Sequence, residues 1–219
     1  MKLFIISDLH GSAEYCRQMI DAFVNEHADK LVILGDVLYH GPRNELPEVY
    51  SPKAVAAMLD TVKEKIICVS GNCDAEIDRE ILPFPVLSDL GAIFVDGLNI
   101  YFAHGHKPAP RLMNGDVYIT GHTHVQLNAV ENGHYHLNPG SVAIPKADSK
   151  HGYIVYEDRK FTFKDLNGEA FDELEISDKP EEVKEDAPKQ EEKPAPASAP
   201  APTPVKRPVV RRKVMIRRK

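Results

Sequence analysis

Residues 2 to 6, "KLFII", form a continuous apolar run that stops at the polar turn "SDLHG". An unbroken apolar run of this length predicts a strand covered on both faces, because a half-buried strand alternates apolar and polar positions. Residues 12 to 27 follow with Ile20, Phe23 and Val24 at helical spacing and Ser12 placed to cap the first turn. The pattern then repeats. "KLVILGD" (30 to 36) predicts a second buried strand, residues 52 to 64 a second helix with Pro52 near its start, and "KIICVSGN" (65 to 72) a third strand. Strands alternating with helices predict parallel pairing through right-handed crossovers.

Beyond residue 96 the pattern changes to short β segments, "GLNIYFAHG", "DVYITGH", "VQLNAVENGHYHLN", "GYIVYED" and "KFTFKDL", with turn residues between them and little helix. "ENGH" (131 to 134) carries an Asn-Gly hairpin signal. The expected fold is a two-sheet α/β sandwich, parallel early and antiparallel late, spanning residues 1 to 176. From Ser177 the segment "SDKPEEVKEDAPKQEEKPAPASAPAPTP" (177 to 204) is rich in Glu, Lys, Pro and Ala and has no aromatic residue. It cannot bury enough apolar surface to offset its ordering entropy, which predicts a disordered, extended linker.

Composition narrows the picture. With 219 residues, 42% of them hydrophobic, the chain can bury one core of ordinary size and carry appendages. Ser7 and Asp8 interrupt the first apolar run too early for a signal peptide or a spanning helix, so the protein is expected in the cytoplasm. Cys16, Cys68 and Cys73 are widely spaced with no CxxC, which argues against a disulfide framework and a structural zinc site. The net charge is −6, yet the last fifteen residues, "VKRPVVRRKVMIRRK" (205 to 219), carry eight cations and no acid, leaving −14 on the rest. An acidic body argues against a broad nucleic-acid-binding face, so the tail has a separate role. It could dock on an anionic membrane surface, bind nucleic-acid phosphates, or fold back on the body.

The candidate chemistry lies at the strand ends. "SDLHG" presents Asp8 and His10, "GDV" presents Asp36 and "GNCD" presents Asn72. The later segments add His104 in "AHGH" and His122 and His124 in "TGHTHVQ". Positions two apart on a regular strand point to the same side, so the last two imidazoles are expected together. In an open α/β sheet, ligands gather beyond the carboxyl ends of the strands. Each residue alone has an ordinary reading as a helix cap, a turn former or a hydrogen-bonded core histidine. Seven nitrogen and oxygen donors at successive strand ends do not. The set lacks thiolate and mixes hard oxygen with imidazole, which suits manganese, iron or zinc pairs.

The motifs D-x-H, G-D, G-N-x-D, H-G and G-H-x-H in this order, with "GDVLYHGPRNELP", "SGNCDAEID" and "NPGSVAIPK" around them, resemble the calcineurin-like metallophosphoesterase superfamily and its small bacterial YfcE-type phosphodiesterases. The resemblance spans residues 1 to 166 and implies an αββα sandwich. It implies two divalent ions, manganese first, with zinc, iron or nickel as alternatives. Asp8, His10 and His124 would hold one ion, Asn72, His104 and His122 the other, and Asp36 would bridge them. A metal-bridging hydroxide would attack the phosphorus of a small phosphodiester, making Asp36, Asn72 and His104 catalytic as well as ligating. A homo-oligomer is also consistent with the family.

One position departs from the family pattern. Many relatives carry His where this chain has Cys73, which could donate a proton to the leaving group but cannot supply a cationic imidazolium, or could be a small filler beside Asn72. Asp74 is expected to buttress a ligand, His40 and Arg43 to reach substrate phosphate, and Asn138 and Ser141 to shape the turn near the site. A phosphomonoesterase acting on small molecules or phosphoproteins, or a non-catalytic metal-binding scaffold, are the alternatives. The scaffold predicts degraded ligands, whereas all seven are present.

Overall fold

The computed structural model describes residues 1–87 and 89–177. Along them run β1 (Leu3–Ile6), α1 (Ala13–Asn25), β2 (Lys30–Ile33), α2 (Pro52–Asp60), β3 (Ile66–Cys68), α3 (Asp78–Ile81), β4 (Leu90–Val95), β5 (Leu98–Ala103), β6 (Val117–Ile119), β7 (Gln126–Glu131), β8 (His134–Pro139), β9 (Gly152–Glu157), β10 (Lys160–Asp165) and β11 (Ala170–Glu175). The strands make one sheet of order β11-β10-β9-β1-β2-β3 and a second of order β4-β5-β6-β8-β7. This is the expected two-sheet sandwich. The expected linker from residue 178 and the basic tail lie outside the described residues.

The first apolar run behaves as its pattern predicts. Phe4 and Ile6 face a core shared with Met19 and Phe23 of α1 and Val55 and Leu59 of α2. Leu3 and Ile5 face a second core between the sheets, with Ile100, Phe102, Val117, Leu137 and Phe161. β1 is therefore apolar at every position because both of its faces are covered. Ser12 caps α1 by accepting a hydrogen bond from the Tyr15 N–H at 3.3 Å, and its hydroxyl donates to the Glu48 carbonyl at 2.7 Å. The β7–β8 hairpin turns at Asn132 and Gly133, both with positive φ, as the Asn-Gly signal anticipates.

Several expectations need correction. β2 and β3 end at Ile33 and Cys68, so the residues after them belong to the functional loops. The second helix stops at Asp60, and a 3-10 turn at Lys63–Lys65 completes the connection. Parallel pairing is not confined to the early strands, because β5–β6 and β6–β8 are also parallel. The late strands β9 and β10 join the first sheet instead, antiparallel from β1 outward. β4 and β11 are additional edge strands. β11, "AFDELE", is acidic and largely exposed, and so lacks the apolar signal of a buried strand. No described helix is long and apolar enough to cross a membrane.

Candidate metal centre

Asp8 and His10 follow β1, Asp36 follows β2, Asn72 follows β3, His104 follows β5, and His122 and His124 follow β6. The two sheets thus direct their strand ends to one place. Strand alternation does not align His122 with His124: β6 ends at Ile119, and both histidines sit in loop backbone with φ of 66° and 62°. Asp8, His10 and Asp36 share this left-handed conformation. The flanking glycines serve two different needs. Gly11, Gly35 and Gly105 themselves adopt positive φ. Gly71 and Gly121 do not, but a Cβ on Gly71 would overlap the Asp36 carboxylate, and one on Gly121 would overlap the Ser7 hydroxyl.

Three ring orientations are held from behind. Nδ1–H of His10 donates to the Tyr39 carbonyl at 2.8 Å, that of His104 to Leu34 at 2.8 Å, and that of His124 to Ile144 at 2.9 Å. A carbonyl can only accept, so each neutral ring carries its lone pair on Nε2, and all three Nε2 atoms point inward. Nε2 of His10 and of His124 face each other at 3.2 Å. Asp8 Oδ1 lies 3.4 Å from His10 Nε2 and 3.2 Å from His124 Nε2, while Asp36 Oδ2 lies 3.3 Å from His104 Nε2 and 3.7 Å from His10 Nε2. Asn72 Oδ1 is 3.0 Å from His104 Nε2. The Asp36 carboxylate thus reaches a ligand of each expected set.

Electrostatics fit a cation. Burial alone would raise the carboxyl pKa values of Asp8 and Asp36, but the neighbouring imidazoles of His10, His124 and His104 hold both below the usual range. Burial would lower His104, but the Asp36 hydrogen bond and the Asp8 and Asp36 charges raise it to about 9. Asp8 Oδ1 is buried with no hydrogen-bond partner. A buried carboxylate oxygen with no donor, ringed by imidazole nitrogens whose lone pairs converge, is what a divalent ion would satisfy. Asp8, His10 and His124 present donor atoms within 4.8 Å of one another, as do Asp8, Asp36 and His104.

The supporting residues are built as expected. Asp74 accepts from the backbone N–H groups of Gly71, Asp36 and Val37 at 2.7, 2.9 and 2.8 Å, which locks the β2 and β3 loops together. Ser141 donates to the Asp8 carbonyl, and Asn138 to the Gly121 carbonyl. The Cys73 thiol is pushed up to about 12 by burial and by Asp36, whose Oδ1 accepts the Cys73 N–H. His122 presents its backbone N–H to Asp8 Oδ2 at 2.9 Å.

A cleft of about 750 Å³ opens over the cluster, lined by Asp36, Tyr39, Arg43, Asn72, Cys73, His122 and His124 among others. Arg43 lines it, whereas His40 packs edge-on against Tyr39 and Tyr50 and is not among the lining residues. Sequence reasoning passed over Tyr39, Asn44, Thr123 and Lys146, which also line the cleft. Only the motif "NPGSVAIPK" hinted at Lys146, without assigning it a role.

Comparison with known proteins agrees with this geometry. The family model of the calcineurin-like phosphoesterase superfamily domain matches residues 1–160. Phosphodiesterase YfcE of Escherichia coli K12 is 38% identical over 174 residues, covering 78% of this chain and 95% of that protein. The solved structure of YfcE, described as a phosphoesterase, covers 81% of this chain and 100% of its own at 37% identity and a TM-score of 0.78. Vps29 of Entamoeba histolytica, solved in complex with zinc, covers 80% of this chain and 98% of its own at 19% identity and a TM-score of 0.53, a likeness of fold. Its sequence, its two-sheet fold and its converging donors together place the chain in the calcineurin-like phosphoesterase superfamily.

Proposed function

We propose that this metal-dependent phosphoesterase is a phosphodiesterase with a binuclear centre. Asp8, His10 and His124 would hold one divalent ion, Asn72, His104 and His122 would hold the other, and Asp36 would serve both. The donor set of imidazole, carboxylate and amide oxygen suits manganese, with zinc, iron or nickel as substitutes. When bound, the two ions supply charge neutralisation for the phosphate and activate water as a nucleophile at neutral pH. The buried, donorless Asp8 Oδ1 facing the imidazole Nε2 atoms is the observation that carries this reading.

The protein's own groups orient and complete the reaction. The backbone carbonyls behind His10, His104 and His124 fix the tautomer with Nε2 free. Asp74 holds the Asp36 and Gly71 backbones, so the bridging carboxylate and Asn72 keep their spacing. Arg43 offers its guanidinium to the substrate phosphate from the cleft wall. Cys73 stays a neutral thiol at physiological pH; it can donate a hydrogen bond to a departing oxygen but adds no positive charge. A dianionic monoester gains less in such a site than a monoanionic diester with a good leaving group.

The test compares initial rates of bis-p-nitrophenyl phosphate and p-nitrophenyl phosphate for the protein stripped of metal and reloaded with manganese, beside Asp36→Ala. The expected result is a clear diester preference and a loss of about a thousandfold in Asp36→Ala. A preference for the monoester would move the assignment to a phosphomonoesterase. Manganese binding without turnover of either ester would move it to a scaffold.

A further inference from the structure

With the two ions of the proposed centre in place, the cleft would hold more positive charge than one diester needs. Asp8 and Asp36 contribute two negative charges, and the two divalent ions of the proposed centre contribute four positive ones. A single diester charge is therefore already compensated, with Arg43 at hand for its oxygens. Lys146 is a further cation lining the same cleft. Among the described residues its ammonium has neither a hydrogen bond nor an ion pair. Most other described lysines are engaged: Lys2 and Lys164 with Glu26, Lys63 with Asp60, Lys107 with Asp89 and Lys160 with Glu173.

The backbone that presents Lys146 is tied to the metal centre. Its N–H donates to the His124 carbonyl at 3.0 Å, and the Ile144 carbonyl, two residues earlier, accepts from His124 Nδ1 at 2.9 Å. The next residue, Ala147, takes a left-handed φ of 51°, which L side chains avoid. Two hydrogen bonds and an unfavourable turn thus set the position from which this side chain projects. A cleft of about 750 Å³ is also far larger than one phosphate group.

We propose that Lys146 forms a second anion subsite, so that the preferred substrates are phosphodiesters bearing another phosphate outside the scissile group. The proposal rests on the diesterase reading above. Lys146 acts as a flexible point charge, which tolerates variation in where that second phosphate lies.

The experiment uses the full-length, manganese-loaded protein and two chromogenic esters: the p-nitrophenyl ester of thymidine 5′-phosphate, and the same ester carrying a 3′-phosphate. The expected kcat/KM ratio favours the 3′-phosphorylated ester by about tenfold, as for a hydrogen bond to a charged group. In Lys146→Ala the ratio falls to near one, and in Lys146→Arg it is largely kept. Because the ratio is internal to each preparation, a partly inactive variant does not distort it. Calorimetric binding of thymidine 3′,5′-bisphosphate against thymidine 5′-phosphate makes the same comparison without turnover and should show the same collapse. A wild-type ratio near one, or one that Lys146→Ala leaves unchanged, overturns the subsite alone. Failure to hydrolyse either ester overturns the diesterase reading and the subsite with it.

Discussion

Five of the seven candidate ligands, Asp8, His10, Asp36, His122 and His124, hold backbone torsions that non-glycine residues avoid. Each such conformation costs on the order of 1 kcal/mol, so surrounding contacts must impose it. Those contacts are present: Gly35 and Asp36 carbonyls accept the N–H groups of Asp8 and His10, and Asp74 accepts that of Asp36. At the same scale, His104 sets a pH dependence. Its folded-state pKa of about 9 lies above the ordinary imidazole value. Its protonation therefore stabilises the metal-free protein fully below the unfolded pKa of about 6.5, and that contribution is lost as pH rises through about 9. Ligation needs the neutral ring, so metal affinity should climb over the same interval. Thermal melts with and without manganese should show a metal-induced gain that is larger at pH 8.5 than at pH 7. An equal gain at both values would count against His104 as a ligand.

At the scale of elements, helix α1 starts where the site ends. Ser12 is fully buried, caps the first turn and also holds the Glu48 carbonyl, joining the helix to the loop that follows the β2 motif. Ser12→Ala removes an N-cap acceptor and leaves a carbonyl without its donor. The expected loss is about 2 kcal/mol, read as a lower urea midpoint at unchanged slope. A midpoint within error of wild type would mean that water replaces both bonds. The elements legible in the sequence were those with an apolar run, a strong local period or a turn signal: β1, α1, β2, β3, β5, β6, β9, β10, the β7–β8 hairpin and the start of α2. β4 and β11 were not legible, because edge strands need no continuous apolar face and draw their stability from a single neighbour. The end of α2 at Asp60 also escaped, since Val62 continues the apolar pattern into the 3-10 turn.

At the scale of the whole molecule, the chain is still packed into the fold near the end of the described residues. Ile176 is 5% exposed and belongs to the inter-sheet core, and its N–H and carbonyl both bond to Arg159. We propose that residues 1 to 176 fold and catalyse on their own, and that residues 205 to 219 bind polyanions, whether nucleic acid or an anionic membrane surface. A chain ending at Ser177 should keep the melting temperature and kcat/KM of the full protein toward small esters, yet elute from heparin at much lower salt. Loss of activity on truncation would show that the remaining residues contribute to the site. Unchanged heparin retention would remove the polyanion role.

The seven donors, their order along the chain and their position after apolar runs were determined by the sequence alone, because each motif is a local exchange between a strand and the turn that ends it. Asp74, Asn138 and Ser141 were named as supports from their motifs, but their partners Asp36, Gly121 and Asp8 were supplied by the tertiary structure. Tertiary structure decided what depends on residues far apart in the chain. His10 and His124 meet across 114 positions only because both sheets end on one edge of the sandwich. Carbonyls from Tyr39, Leu34 and Ile144 choose which ring nitrogen faces inward. The same packing turns His40 toward Tyr50 and brings Lys146 to the cleft, because loop side chains take their direction from long-range contacts that no local pattern encodes.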